Sequence, residues 1–366
     1  MKPLAIHART ESFSDRWIEF CQEYDVPYTL VNCYHWDIMD KLRETSALLW
    51  HIGHGSATDI LMGRHVLNAA EIMGLAVFPN RATQWHFDDK IAQKYLLESI
   101  GAPLVSTYVF FDLQSAREWI NETSFPKVFK LRRGAGSRNI RLVRDKDEAW
   151  RLVRQAFYFG YKPSGTLLGS AWKVNAWKAK QAHSQGKLWD FIRTIPAKAL
   201  HRIQLDFLMG RERGYVYFQD FMPHNDYDTR ITIIGNRAFG FCRRVRPNDF
   251  RASGSGLIVY DRAAISPECI RTAFLVAHCL GFQSMAFDFV KDVQGQPHIL
   301  EVSYGFDPKP VFDCGGFWDQ SLTWHDTPRW PEHAIIEDVL AVVRSTKNPA
   351  EYPTASCGAA LQLKRP

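Results

Sequence analysis

Two acidic residues near the carboxyl end of the chain are spaced so that they could face each other. Two strand-like runs, residues 284–291 and 297–303, flank a polar turn centred on residues 294–295. If the runs form a hairpin about that turn, Asp288 lies directly opposite Glu301, because both are equally far from its centre. Alternation along a strand then places both carboxylates on one face.

This carboxylate pair has a chemical consequence. Directly opposed strand positions lie roughly 5 Å apart, and like charges there repel each other. A divalent cation would offset the repulsion, and Mg²⁺ is typically held by one or two carboxylates together with substrate phosphates. Ser303 lies on the same face. The alternative is that both acids are solvated surface residues, or that the register of the strands differs.

A glycine-rich turn earlier in the chain could contact phosphates. Residues 126–137 and the segment after them indicate a strand, a turn containing Gly134 and Gly136, and a second strand. Glycines let backbone N–H groups approach phosphate oxygens closely, and Lys130 could supply a positive charge at the base of the loop. The segment has neither the P-loop pattern nor the dinucleotide-binding pattern, so an ordinary hairpin with solvated arginines is the alternative.

The composition is that of a globular protein. The 366 residues are 46% hydrophobic and 23% charged, which excludes bulk disorder, collagen and coiled coil. We expect neither a membrane span nor a signal peptide. The seven cysteines form no CxxC pair, which favours a reducing cytoplasm without disulfides. The net charge of +6 suits anionic ligands such as nucleotides and is too weak to indicate nucleic acid.

The order of predicted elements divides the chain into five parts. Residues 1–80 alternate short apolar strands and helices, which predicts a small parallel α/β domain. Residues 81–160 and 206–345 combine strands and helices in two further units. Between them lies a basic insert with three tryptophans, residues 161–205, and residues 346–366 form a tail.

Two other segments invite functional interpretations. The insert could be a lid, an acceptor-binding element or a peripheral contact with anionic lipid, and a solvated helical hairpin with tryptophans in its core is the alternative. His51 and His54 follow a strand of the first domain, where α/β domains bind ligands, with Asp59 close behind. They could contact substrate, or they could be satisfied loop histidines.

Four separated segments form a pattern that no single motif carries. They span roughly residues 75–310: Asp88-Asp89-Lys90 with Gly101-Ala102-Pro103, Phe125–Lys130 with Gly134–Ser137, Gln219–Met222 with Asp228-Thr229-Arg230, and Ala286–Phe289 with Leu300–Ser303. Their order and spacing resemble those of the ATP-grasp ligases, in the branch of the ribosomal-protein glutamate ligases, glutathione synthetases and D-alanine–D-alanine ligases. The resemblance implies an α/β fold with an N-terminal parallel pre-ATP-grasp domain, a central lobe with the glycine loop, and a C-terminal antiparallel-sheet lobe.

The resemblance also implies how ATP and magnesium are held. Lys90 and Lys130 would grip the phosphates under a loop of Gly134, Gly136 and Ser137, and the backbone of Asp220, Phe221 and Met222 would clasp adenine. Asp226 would contact the ribose. Asp288 and Glu301 would hold Mg²⁺, with two ions expected. The family usually has asparagine at the position of Ser303, whose hydroxyl can still ligate the metal.

A predicted hairpin over residues 228–244 carries several arginines. A turn at residues 235–236 would place Asp228, Arg230 and Arg243 on one face, and the basic run continues through Arg244. Arginine binds phosphate and carboxylate groups through paired hydrogen bonds. We therefore assign Arg230 and Arg244, with Lys130, a catalytic role; the alternative is a solvated basic hairpin.

The resemblance implies an ATP-dependent carboxylate–amine ligase that works through an acyl phosphate. Its acceptor could be an amino acid, a peptide or a polysaccharide sugar, so the expected partners are small-molecule or glycan substrates and not nucleic acid. The sequence leaves the oligomeric state open, and a homodimer, as in many relatives, is one candidate. The alternatives are a kinase of the same fold that phosphorylates a hydroxyl, and a nucleotide-binding module without turnover.

Overall fold

The computed structural model describes residues 1–54, 56–134, 139–162 and 206–345, together with scattered positions between 179 and 203. Most of the predicted insert and all of the predicted tail lie outside the described residues. The six cysteines within them are free thiols. No helix in the described ranges is long and apolar enough to cross a membrane.

The N-terminal domain is built on a four-stranded parallel sheet with strand order β2-β1-β3-β4. Its elements are β1 (Leu4–Ile6), α1 (Phe13–Glu23), β2 (Tyr28–Leu30), α2 (Ile38–Leu42), β3 (Ala47–Leu49), α3 (Arg64–Ile72) and β4 (Ala76–Phe78). Phe13, Trp17 and Phe20 bury one face of α1, as their spacing predicts. The strand order reverses between β1 and β3, so the loops after these two strands flank a crevice.

The central lobe contains a four-stranded antiparallel sheet with strand order β5-β8-β6-β7. Its elements are α4 (Arg81–Gln84), α5 (Lys90–Ser99), β5 (Thr107–Phe110), α6 (Leu113–Glu122), β6 (Lys127–Lys130), β7 (Ile140–Val143), α7 (Lys146–Arg154) and β8 (Val216–Asp220). Three helices begin at an aspartate whose carboxylate accepts backbone N–H bonds: Asp89, Asp112 and Asp145. Strand β8, which follows the insert in sequence, pairs with β5 and β6, so the chain returns to this sheet.

The C-terminal lobe is a mainly antiparallel sheet with strand order β13-β12-β9-β10-β14-β15, and β11 pairs with β10. Its elements are β9 (Tyr227–Ile234), β10 (Arg237–Arg244), β11 (Ile258–Val259), α8 (Pro267–Leu280), β12 (Ser284–Lys291), β13 (Pro297–Ser303), α9 (Pro308–Phe312), β14 (Phe317–Trp318), β15 (Trp324–His325) and α10 (Pro331–Ser345). One buried core joins this sheet to the N-terminal domain and to α5, whereas the sheet of the central lobe forms a separate core with α6 and α7. The cleft between the lobes is therefore a boundary between two cores.

The two predicted hairpins have the registers that matter for the site. In β9–β10, Asp228 lies opposite Arg243, as predicted. In β12–β13, Asp288 lies opposite Glu301, again as predicted, but the register shifts immediately beyond the pair. Leu300 is the extra residue of this bulge.

The prediction of one uniform register through the β12–β13 hairpin is therefore wrong. The reason is a tertiary contact. The backbone of Ile299 accepts a hydrogen bond from Val105 N–H and donates one to Pro103, so the central lobe holds β13 at this point.

Candidate functional site

A cavity of about 250 Å³ lies between the central and C-terminal lobes. Apolar side chains from both lobes line it: Val128, Ile140, Val290, Leu300 and, from the loop after β10, Phe250. Apolar walls on two sides suit a flat ring system. We call this the first cavity.

The segment after β8 forms one edge of the first cavity. The predicted hinge residues Asp220, Phe221 and Met222 line it, and the exposed Asp226 lies at its rim. The side chain of Asn225 ties this segment to β12. Its amide nitrogen donates to the carbonyl oxygens of Met222, at 3.3 Å, and Lys291, at 2.9 Å, and its amide oxygen accepts from Lys291 N–H at 2.8 Å. The backbone groups of the hinge are thus held in place at the cavity edge.

Lys130 projects into the first cavity from the end of β6. It is 2% exposed, and its Nζ donates to the side-chain oxygen of Gln219 at 2.5 Å. Burial lowers its pKa to about 8, partly opposed by the charge of Glu301. Gln219, fully buried, also donates to Thr107 Oγ1. Gln219 belongs to the predicted hinge segment, but the sequence predicts no role for it; its contact with Lys130 emerges only from the structure.

The start of α5 fixes the base of the glycine loop. Lys90 Nζ donates to the carbonyl oxygen of Gly134 at 2.8 Å, and Gly134 N–H donates to Asp88 Oδ1 at 2.8 Å. Gly134 has φ +110°, a conformation that favours glycine. The structure thus brings Lys90 and the first loop residue together, while Gly136 and Ser137 lie outside the described residues.

Asp288 is buried and is bound by two arginines. Arg230 donates to both of its carboxylate oxygens at 2.7 and 2.8 Å, and Arg243 reaches Oδ2 at 2.6 Å. Burial alone would raise the pKa of Asp288, but the charges of Arg230 and Arg243 hold it below its usual range. These guanidiniums offset the repulsion from Glu301, so the two carboxylates can lie opposite each other without a cation, and the metal site stays a prediction.

Glu301 is chemically different from Asp288. It is half-buried, and within the described part of the chain no group donates a hydrogen bond to its carboxylate. Ser303 follows on the same face, and its hydroxyl donates to the carbonyl oxygen of Gly305 at 2.9 Å, which leaves the oxygen able to accept or ligate. Glu301 and Ser303 therefore have oxygens to offer a cation.

The carboxylate oxygens fit one magnesium ion, provided that Asp288 is available to bind it. The hard oxygens of Glu301 and Asp288 are the ligands that Mg²⁺ prefers, but Asp288 must then share its carboxylate with, or release, Arg230. In the described ranges, no group of three or more His, Cys, Asp and Glu side chains is placed to hold a metal by itself. Substrate phosphates or water would have to complete the coordination.

The arginines divide between the two faces of β9 and β10. Arg230 and Arg243 face Asp288, and Arg243 also pairs with Asp228 at 2.6 Å. The next residue, Arg244, is exposed and lines neither cavity described here. The structure therefore places Arg243, and not Arg244, beside the carboxylates, because alternation turns successive side chains to opposite faces.

A second cavity, of about 480 Å³, meets the first at Glu301 and Ser253, which line both. Its walls come from the N-terminal domain, the start of α5 and the C-terminal lobe, including Lys90, Arg230, Ser303 and Gly305. The ion pair between Arg230 and Asp288 thus lies on the boundary between the two cavities.

The two predicted loop histidines both line the second cavity. His51 stacks on Phe13 with ring centroids 3.8 Å apart, and burial lowers its pKa to about 3, so it is neutral at physiological pH. His54 Nδ1 lies 3.4 Å from Asp88 Oδ1. The N-terminal domain is therefore connected to the base of the glycine loop through Asp88.

Comparison with solved structures identifies the fold. The RimK domain ATP-grasp protein from Sphaerobacter thermophilus is 17% identical, with a TM-score of 0.53 over 92% of this chain and 98% of that chain. The D-alanine–D-alanine ligase from Bacillus anthracis is 15% identical, with a TM-score of 0.56 over 94% and 99%. The biotin carboxylase domain of the Hydrogenobacter thermophilus 2-oxoglutarate carboxylase is 13% identical, with a TM-score of 0.57 over 96% and 71%.

The chain therefore has the ATP-grasp fold, and the resemblance carried by its four sequence segments is confirmed at that level. No protein-family model matches the sequence, and no curated protein matches it significantly.

Proposed function

We propose that this ATP-grasp chain is an enzyme, an ATP-dependent carboxylate–amine ligase that forms an amide bond through an acyl phosphate. One observation carries the proposal: two cavities meet at Glu301, with Lys130 on one side and Arg230 on the other. A phosphoryl group bound in the first cavity would thus be adjacent to a carboxylate bound in the second.

ATP would occupy the first cavity. Its adenine would lie between the apolar walls, against the backbone of Asp220, Phe221 and Met222, and its ribose near Asp226. The phosphates would extend toward Lys130 and Lys90. The loop with Gly134, Gly136 and Ser137 would cover them and exclude water.

Magnesium would be held by Asp288 and Glu301, with Ser303 as a further ligand; a second ion stays a prediction. The solved biotin carboxylase domain is a complex with MgADP. Bound Mg²⁺ supplies neutralisation of phosphate charge.

The chain's own residues position the reactants and stabilise charge. A substrate carboxylate oxygen attacks the γ-phosphorus of ATP, the bond to ADP breaks, and an acyl phosphate forms. Lys130 and Arg230 stabilise the charge on the moving phosphoryl group. An amine then attacks the acyl carbon, loses its proton and expels phosphate. The catalytic role of Arg244 stays a prediction.

Several finer assignments stay proposals. The acceptor is an amino acid, a peptide or a sugar of a glycan, and the reaction takes place in the cytoplasm. A homodimer and a membrane contact through residues 161–205 are further predictions. A kinase of the same fold is the second candidate, because Arg230 and Lys130 would serve phosphoryl transfer to a hydroxyl equally well.

Hydroxylamine trapping tests the proposal. The protein is incubated with Mg-ATP, hydroxylamine and a panel of carboxylic acids that includes hydroxy acids, and ADP, hydroxamate and phosphorylated hydroxyl compounds are measured. A ligase gives ADP and hydroxamate in equal amounts with at least one acid. ADP without hydroxamate, together with a phosphorylated hydroxyl compound, would support the kinase. Nucleotide binding without ADP release across the panel would support the module without turnover.

A further inference from the structure

The N-terminal domain holds one arginine, Arg9, at the wall of the second cavity. Arg9 follows β1, and Gly53 follows β3, so both lie at the carboxyl ends of the two strands between which the sheet order reverses. Ligands of open α/β sheets bind in that crevice. The Arg9 backbone is fixed by the buried Ser14, whose hydroxyl accepts from Arg9 N–H at 3.0 Å and donates to Arg9 carbonyl oxygen at 2.9 Å.

One nitrogen of the Arg9 guanidinium is bound by a buried carboxylate. Its Nη1 donates to Oδ2 of Asp59 at 2.5 Å. Asp59 is 1% exposed and also accepts from Gly53 N–H at 3.0 Å and from the hydroxyl of Tyr34. The carboxylate of Asp59 is therefore anchored by the fold, and it aims the arginine.

Arg9 lines the second cavity, and the rest of its guanidinium is available for a ligand. Among the described residues, no group accepts a hydrogen bond from Nε or Nη2 of Arg9, and the side chain is 31% exposed. Gly53 makes room for it, because a Cβ at that position would collide with Nη2. An arginine that lines a cavity, with one nitrogen anchored and further N–H donors without an acceptor, has the donors to bind a carboxylate.

We propose that Arg9 binds a carboxylate of one of the two substrates, distinct from the group that reacts near Glu301. The inference rests on the proposed ligase function and narrows its substrate class: either the acid is at least a dicarboxylic acid, or the amine carries a carboxylate, as an amino acid does. Arg9 is then a specificity-determining residue. It recognises the end of the substrate that lies against the N-terminal domain.

The test is a binding experiment on the full chain with Mg²⁺ and a non-hydrolysable ATP analogue. Ligand-observed NMR measures the affinity for two matched pairs: glutarate against butyrate, and 4-aminobutyrate against butylamine. We expect the member with the additional carboxylate to bind at least about tenfold more tightly in one pair. The glutarate pair reports a carboxylate on the acid substrate, and the aminobutyrate pair reports one on the amine substrate.

Two variants assign that preference to Arg9. Arg9→Lys keeps a positive charge opposite Asp59 and loses the fork of N–H donors, and Gly53→Ala displaces the guanidinium without changing its charge. Each should abolish the preference and leave the affinity for the ATP analogue within about twofold. The control Arg16→Lys should keep the preference, because the Arg16 guanidinium lies over the Trp330 ring and does not line the second cavity. Thermal unfolding shows whether each variant folds. If one of the two variants fails to fold, the result of the other variant decides the test.

The outcomes are separable. A purely structural Arg9, serving only to neutralise Asp59, predicts an unchanged preference in Arg9→Lys and overturns the inference, as does equal binding within both pairs. The binding measurement needs no turnover, so the two proposals can fail separately. A negative hydroxamate assay together with an Arg9-dependent preference would reject the ligase function and keep carboxylate binding by Arg9. A positive hydroxamate assay without that preference would keep the ligase function and reject carboxylate binding by Arg9.

Discussion

Arg230 donates to both carboxylate oxygens of Asp288 from the directly paired position of the neighbouring strand. The predicted metal ligand is therefore held by the arginine that also lines the second cavity. A cation at Asp288 and the guanidinium of Arg230 compete for the same oxygens. Binding of a cation at Asp288 would thus be coupled by charge to the position of an arginine in the second cavity.

Removal of Arg243 should destabilise the fold strongly. Arg243 is buried between Asp228 and Asp288, both buried themselves, so Arg243→Ala leaves two carboxylates without their shared partner. Loss of one member of a buried ion pair costs about 3–5 kcal/mol. Urea denaturation measures the free energy of unfolding. The control Arg244→Ala removes the exposed neighbour and should cost no more than about 0.5 kcal/mol; similar losses in both variants would contradict this account.

Glu301→Ala should abolish ADP release with little loss of stability. Glu301 lies where the cavities meet, and in the described structure it receives no hydrogen bond, so its removal leaves no donor without an acceptor. We expect ADP release to fall by on the order of a hundredfold or more, and the free energy of unfolding to change by less than about 1 kcal/mol. Turnover retained at the wild-type rate would remove Glu301 from the metal site.

Local patterns predicted the parts of the site that form within one hairpin. Asp288 and Glu301 are joined by a short turn, and alternation with a glycine in the turn was enough to place them opposite each other. The bulge at Leu300 was not predictable in this way, because the central lobe imposes it through contacts with Ile299. The contact between Arg243 and Asp288 was not predictable either. It depends on a third strand, because β12 pairs with β9 and so brings Asp288 beside the β9–β10 hairpin.

Long-range pairing hid the rest of the site. Arg9 and Asp59 are fifty residues apart in sequence and meet only because β1 and β3 are neighbours in the sheet. In the sequence, Asp59 stands out only as a neighbour of the loop histidines, and Arg9 lies in no recognisable motif. A solvated arginine has the same sequence signature as an anchored one. The contact between Gln219 and Lys130 was not predictable for a similar reason, because β8 pairs with β6 across the whole insert.

Glu332 should make stability depend on pH in the acidic range. It is 2% exposed at the start of α10, and burial raises its pKa to about 7 from an ordinary 4.5. Between these values the folded state binds the proton more tightly than the unfolded state, so stability falls as pH rises from about 4.5 to 7.

Glu332→Gln should remove this slope. The variant should be more stable than the wild type by up to about 3 kcal/mol at pH 8, and no more stable at pH 4. Urea denaturation at both pH values measures the difference. A gain that is equal at both would assign the effect to packing and not to the proton.

ATP affinity should weaken as pH rises above about 8. The pKa of Lys130 in the free protein is about 8 because the side chain is buried, so rising pH removes the charge that would contact the phosphates. If only the ammonium form binds, the Kd for a non-hydrolysable ATP analogue is constant below that pH and rises toward about tenfold per pH unit above it. Calorimetry between about pH 7 and 9.5 measures the profile. Lys130→Arg, which stays protonated throughout, should bind with a flat profile. The control Lys94→Arg, at a lysine that lines neither cavity, should keep the wild-type slope. A slope that survives in Lys130→Arg would assign the titrating group to another residue.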